Sequence, residues 1–202
     1  MPKKVDHEER RRQITDAVCR ITLRGGLNAA TFRSIAAEAG MSAPLVQHYF
    51  ATKAEILDTT QLHVGERSTV RIMEWINRTD GSARQVLGAF LKAFMPDDDD
   101  SRAAGLMFLA LATEAIASID PDNTQVGPRQ VEAQLMLTTI LSQLERGPLR
   151  DGVDPDIEAR LLTAMTTGLG QYVMLETISV TEAHATIDYH LDNAFAPADG
   201  GS

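Results

Sequence analysis

Between Thr31 and Lys53 the chain reads TFRSIAAEAGMSAPLVQHYFATK, two short helical patterns broken at Gly40-Met41-Ser42. Phe32, Ile35, Ala36 and Ala39 recur at helical spacing, Thr31 can cap the first pattern, and Gly40 supplies a left-handed stop that a Cβ would resist. Ser42 is a suitable N-cap for the second pattern. Pro44 sits in the first turn, where its missing N–H is harmless, and Val46, Tyr49 and Phe50 continue the apolar spacing. The second helix is therefore short and tightly placed. Such a pair serves as a plain packing unit in many small helical domains, and it is also the form of a helix-turn-helix that reads DNA.

Charge favours the DNA-reading form. Up to Lys53 there are nine Lys and Arg (3, 4, 10, 11, 12, 20, 24, 33 and 53) against five Asp and Glu (6, 8, 9, 16 and 38). The 202-residue chain carries −9, so the motif end is basic by four and the remainder acidic by thirteen. Phosphates are attracted to the first and repelled by the second, which suits a protein that binds DNA at one pole.

With 44% hydrophobic residues the chain can bury a core in one small domain and one larger one, divided at 1–52 and 53–202. No basic-apolar-small leader opens the sequence, and its longest uncharged stretch, Leu161 to Leu175, is shorter than the roughly 20 residues that span a bilayer. A cytoplasmic protein without a membrane span is expected. The single Cys19 permits no intramolecular disulfide and reads as a small core hydrophobe. The run Asp97 to Asp100 lacks the alternation and glycine of a calcium loop and reads as a solvated connection. No Gly-rich phosphate loop, H-E-x-x-H or G-x-S-x-G occurs, and His184 and His190 are six apart, nearly opposite on a helix. Neither an enzyme nor a metal site is indicated, and no cofactor is expected.

Helical periodicity dominates throughout, so the fold class is all-α, with about nine helices. After a first helix near 8–24 and the two short ones comes a long helix from about Lys53 to Thr79. A helix opened by the spacing Ser82/Gln85 of a capping box closes at Pro96, and Ser101 caps the next, which Asp120-Pro121 stops. Another spans about Thr124 to Arg146, with Pro128 as an alternative start. Asp154 and Pro155 read as N-cap and first residue of a helix reaching about Ile178, and the last runs over 181–195.

Apolar residues surround the helix over 155–178, among them Leu161, Leu162, Met165, Leu169, Tyr172 and Val173. A helix at the edge of a domain needs one apolar face; extra circumference requires a second partner. Ala164, Gly168 and Gly170 would let a neighbouring backbone come close. A homodimer built on helices 155–178 and 181–195 is expected, forming a four-helix interface.

The assembled residues resemble the tetracycline-repressor (TetR/AcrR) family of transcriptional regulators. The match is sharpest over TFRSIAAEAGMSAPLVQHYFATKAEIL, from Thr31 to Leu57, including the terminal aromatic, Lys and Leu. The resemblance implies an N-terminal three-helix DNA-binding domain, a C-terminal effector-binding and dimerisation domain, and regulation, most often repression, at a palindromic double-stranded DNA operator. It makes Arg33 a base or phosphate contact. Ala43, Pro44, Leu45, Gln47 and His48 would face the major groove, while Ser42, Tyr49 and Lys53 hold phosphates; Ile35, Ala36, Val46 and Phe50 would fix the helix angle. Gln47 stands where many family members carry tyrosine. An interaction module that kept the scaffold and lost DNA binding would share the same pattern.

The resemblance further implies a small-molecule effector bound in the larger domain. Phe90, Phe94, Met107, Leu111 and Met136, with Glu114 and Gln171 for polar specificity, are the residues that would line its pocket, although a stripe of this kind equally describes a solid core. A carboxylate such as that of Glu114, in an apolar helix, needs a partner when buried; a cationic ligand or an arginine would serve.

Overall fold

The computed structural model describes residues 2–117 and 128–197, without the side chains of 2–6, 114, 115 and 128–134. Nine α-helices and no strand occur among the described residues. They are α1 (Pro2–Gly25), α2 (Phe32–Glu38), α3 (Ala43–Tyr49), α4 (Lys53–Ile76), α5 (Ala83–Lys92), α6 (Asp99–Ala117), α7 (Pro128–Leu144), α8 (Pro155–Met174) and α9 (Val180–Ala194), with a 3-10 turn at Leu27–Ala29. No helix among these residues is long and apolar enough to cross a membrane. The chain forms two compact units, 1–69 with 98–113 and 70–97 with 114–202, so α4 and α6 each contribute to both.

In the first unit Ile14, Ala17, Val18 and Ile21 of α1 bury against Ile35 and Ala36 of α2, Val46 of α3, Phe50 and Ile56. Cys19 is also buried, and that burial pushes its thiol up to about 11, an unreactive small apolar side chain. In the second unit the core joins Leu87, Phe90, Leu91 and Met95 to Ile140, Leu144, Leu162, Leu169, Ile187, Leu191 and Phe195.

Several helix ends differ from their expected places, each for a local reason. The helix expected over 155–178 stops at Met174: Glu176 takes φ 57, its N–H and that of Thr177 donate to the carbonyls of Val173 and Tyr172 at 3.0 Å, and the turn closes. The last helix begins at Val180 rather than 181. Ser179 accepts from the Glu182 N–H at 3.1 Å, and the Glu182 carboxylate accepts from the Ser179 N–H at 2.8 Å. At the start of α5 only half of the expected box forms, because Gln85 donates its amide to Asp80 (2.8 Å). The aspartate run is more than a solvated link: Asp98 accepts from the Ser101 N–H at 2.7 Å to cap α6, Asp97 pairs with Arg71 and Asp100 with Arg67. The alternative start at Pro128 is where α7 begins, and 118–127 lie outside the described residues.

Candidate nucleic-acid interface

Helix α2 is fastened at both ends, the second of them the turn into α3. Thr31 and Ser34 form a reciprocal capping box, each hydroxyl accepting from the other's N–H at 3.1 and 2.9 Å. At the other end of α2, Gly40 takes φ 66, its N–H donates to the Ala37 carbonyl (3.3 Å), and that of Met41 donates to Ala36 (2.9 Å). This six-to-one closure uses a left-handed residue, the conformation an L side chain resists. Ser42 then caps α3 by accepting from the Leu45 N–H at 3.3 Å.

With its ends fastened, α3 separates into two faces. Val46 and the following Phe50 are fully buried, and Ala43 and Tyr49 pack partly buried beside them, a stripe at three- and four-residue spacing. Pro44, Leu45, Gln47 and His48 are exposed, Leu45 at 39%. The side chains expected to face DNA thus share one solvent face, except Ala43, which leans into the core. Arg33 on α2 and Ser42 are exposed, Lys53 half-exposed. Tyr49 touches the ring of His7 in a tilted arrangement at 4.9 Å and that of His48 edge-on at 5.4 Å. An exposed amide, hydroxyl and imidazole beside apolar Pro44 and Leu45 supply the donors, acceptors and methyl-packing groups that base edges require.

Some of the basic surplus has internal work. Arg20 and Arg24 both pair with Glu38, and their hydrogen bonds hold its carboxyl below the usual carboxylate range. Arg11 donates to the Tyr49 carbonyl at 2.6 Å and lies 3.9 Å from the centre of the Phe50 ring. Sequence reasoning missed Arg11, whose partners lie some forty residues away in the chain. It also missed the cap of α4, where Thr52 accepts from the Glu55 N–H at 3.1 Å. The spacing Thr52-x-x-Glu55 was the signal available for it.

The residues proposed to line an effector pocket are distributed between the two units. Phe90 is a buried member of the second unit's core, edge-on to the 39% exposed Phe94 at 5.1 Å, with Met136 packed partly buried against the same core. Gln171 is half-buried in α8. Met107, buried, and Leu111, half-buried, belong to the first unit, and the side chain of Glu114 lies outside the described residues. An open depression of about 450 Å³ on the first unit is lined by Ile21, Arg24, Gly25, Ala29, Ser34, Ala37 and Glu38, none of them expected to meet an effector.

Two stripes run along α8. Ala159, Leu162, Thr166, Leu169 and Val173 are buried in the unit's own core, while Ile157 (52% exposed), Leu161 (51%) and Tyr172 (56%) lie outward with Ala164 and Gly168 between them. Among the described residues, no atom of another element approaches within 4 Å of a Cβ placed at Gly168 or Gly170. On α9 the outward aromatic is Tyr189.

Residues 14–60 match the model for bacterial regulatory proteins of the tetR family, and residues 83–196 match that for the C-terminal part of BetI-type transcriptional repressors. The chain belongs to the TetR family. It is 32% identical over 186 residues to the HTH-type transcriptional regulator PksA of Bacillus subtilis (strain 168), covering 90% of this chain and 87% of that one. To the HTH-type transcriptional regulator BetI of Serratia proteamaculans (strain 568) it is 28% identical over 200 residues, 94% of each. Its fold is shared with a transcriptional regulator of Saccharomonospora viridis solved in complex with choline, at a TM-score of 0.75 and 22% identity over 94% of this chain and all of that one. As a TetR-family member the chain is a DNA-binding regulator of transcription, not an enzyme. The tetR match falls on the segment whose core and turn are described above.

Proposed function

We propose that the chain is a ligand-responsive repressor, acting in the cytoplasm, that binds a palindromic operator as a homodimer and leaves it when a small-molecule effector binds. Residues 1–52 read DNA, and 53–202 hold the effector and the partner copy. The observation that carries the DNA-reading part is the exposure of Pro44, Leu45, Gln47 and His48 on a helix whose opposite face is locked by Val46 and Phe50. Ser42, Tyr49 and Lys53 flank that face and supply phosphate contacts, and Arg33 supplies a base or phosphate contact; Ala43 contributes through the helix start it packs. The outward stripe on α8, joined by α9, supports pairing with a second copy, and twofold symmetry makes the operator palindromic.

For the effector, Phe90, Phe94, Met107, Leu111, Met136, Glu114 and Gln171 remain the proposed lining. The choline held by the Saccharomonospora viridis regulator, together with the carboxylate at Glu114, makes a small organic cation the class to try first. Footprinting of the upstream DNA with the full-length chain tests the core of the proposal. Protection of a palindrome that weakens steeply with salt is expected, as is loss of at least about tenfold in affinity in the Arg33→Ala/Lys53→Ala double variant. A double variant that binds as tightly as the parent removes those two residues from the interface, and no protection at all removes the proposal. Choline added to the thermal melt tests the effector class, since a ligand of the folded state raises the midpoint.

A further inference from the structure

We infer that Arg11 is a positioning residue for operator reading, holding the recognition helix in its pose against α4, and is not itself a phosphate contact. The inference rests on the DNA-reading role of α3 proposed above. One Arg11 nitrogen donates to the Tyr49 carbonyl at 2.6 Å, and the other donates to the Thr59 hydroxyl at 3.1 Å. Both lie 3.4 Å from one oxygen of Glu55. The guanidinium carbon sits 3.9 Å from the centre of the Phe50 ring.

Each partner has a defined place. Tyr49 ends α3, and its carbonyl is an acceptor that no later N–H of the helix can satisfy, at the end where the helix dipole favours a cation. Phe50 is the aromatic that anchors the following turn in the core. Glu55 and Thr59 are in the first two turns of α4, and the second oxygen of Glu55 accepts from the Ala51 N–H at 2.9 Å. One planar fork therefore fixes the end of the recognition helix, the turn after it and the start of the next helix. A lysine, with a single nitrogen, cannot reach the same set together. Its charge is met by Glu55, one face of its guanidinium lies over the Phe50 ring and its side chain is 23% exposed, so it is ill placed to meet a phosphate.

The test uses the full-length chain, the tightest duplex it selects from a randomised library, and a random duplex of equal length. Affinities are measured over a range of salt, well below each variant's melting point. For Arg11→Ala we expect about a tenfold loss on the selected duplex, with random-duplex affinity and salt slope unchanged, so that discrimination falls by the same factor. Arg11→Lys should restore little of it. A phosphate contact would instead weaken both duplexes, lower the salt slope by about 0.9 and be rescued by lysine, which overturns the inference. A lowered melting point with discrimination intact also overturns it, reducing Arg11 to a stability residue. Should Arg11→Ala not fold, Thr59→Val removes one partner alone: a loss of about threefold in discrimination supports the inference, and none overturns it. Failure of the parent chain to select any duplex counts against the proposed function and not against Arg11 in particular.

Discussion

The head around α3 and the unit around α8 both bury apolar surface chiefly between helices, but over very different lengths of chain. Every buried member of the head core lies between Ile14 and Ile56, whereas the other core runs from Leu87 to Phe195. In the head, short-range devices decide the geometry: a Thr31/Ser34 box, a left-handed Gly40 and a Ser42 cap, all within a dozen residues. In the other unit the decisive packing is between distant segments; Gly147, for example, faces the ring of Phe195, which would meet any added Cβ. Local chemistry therefore shapes the α2–α3 turn, with α1 and Arg11 as its more distant supports, while the core around α8 is built from packing between distant segments. The first can be altered one side chain at a time; the second responds as a whole.

The sharpest way to break that contrast is to empty the head core. Phe50→Ala removes a fully buried ring and should cost about 3–5 kcal/mol, read as a lower denaturant midpoint of the head's transition. If the loss spreads equally to both units, the head is not the local structure described. Next in size is Leu161→Glu on the outward stripe of α8, which should weaken self-association at least tenfold by sedimentation while leaving helical content unchanged. Unfolding instead would mean that the stripe belongs to the chain's own core.

Gly40→Ala forces a side chain into the left-handed region and should cost about 1–2 kcal/mol, with DNA affinity falling in step because the α2–α3 turn shifts. The smallest effect concerns acid. Glu38 has its carboxyl lowered by Arg20 and Arg24, so its contribution is complete above its ordinary value near 4.5 and lost as pH falls through the lowered one. Glu38→Gln should flatten that part of the acid unfolding curve, only slightly because the pairs are exposed.

The same contrast explains what could be read from the chain before its structure. Thr31, Gly40, Ser42 and Asp154 announce their helix ends, and the structure uses all four. The end of α8 did not announce itself, because Glu176 occupies a left-handed position where glycine or asparagine is the usual signal. Arg11 was one of three consecutive arginines, and nothing local distinguishes it from Arg12; only the return of the chain at Tyr49, Glu55 and Thr59 does. The pocket residues were the least legible. Phe90 and Phe94 share a spacing and a ring contact, yet Phe90 sits in α5 within the core that α7 to α9 complete, while Phe94 falls in the turn after α5 and stays exposed.

The two-faced α3 carries one consequence for how such a protein can change over generations. Pro44, Leu45, Gln47 and His48 have no part in the buried stripe, so exchanging any of them leaves that stripe intact. With the role proposed for that face, a duplicated copy of this chain could change its DNA address there while Val46 and Phe50 keep the scaffold.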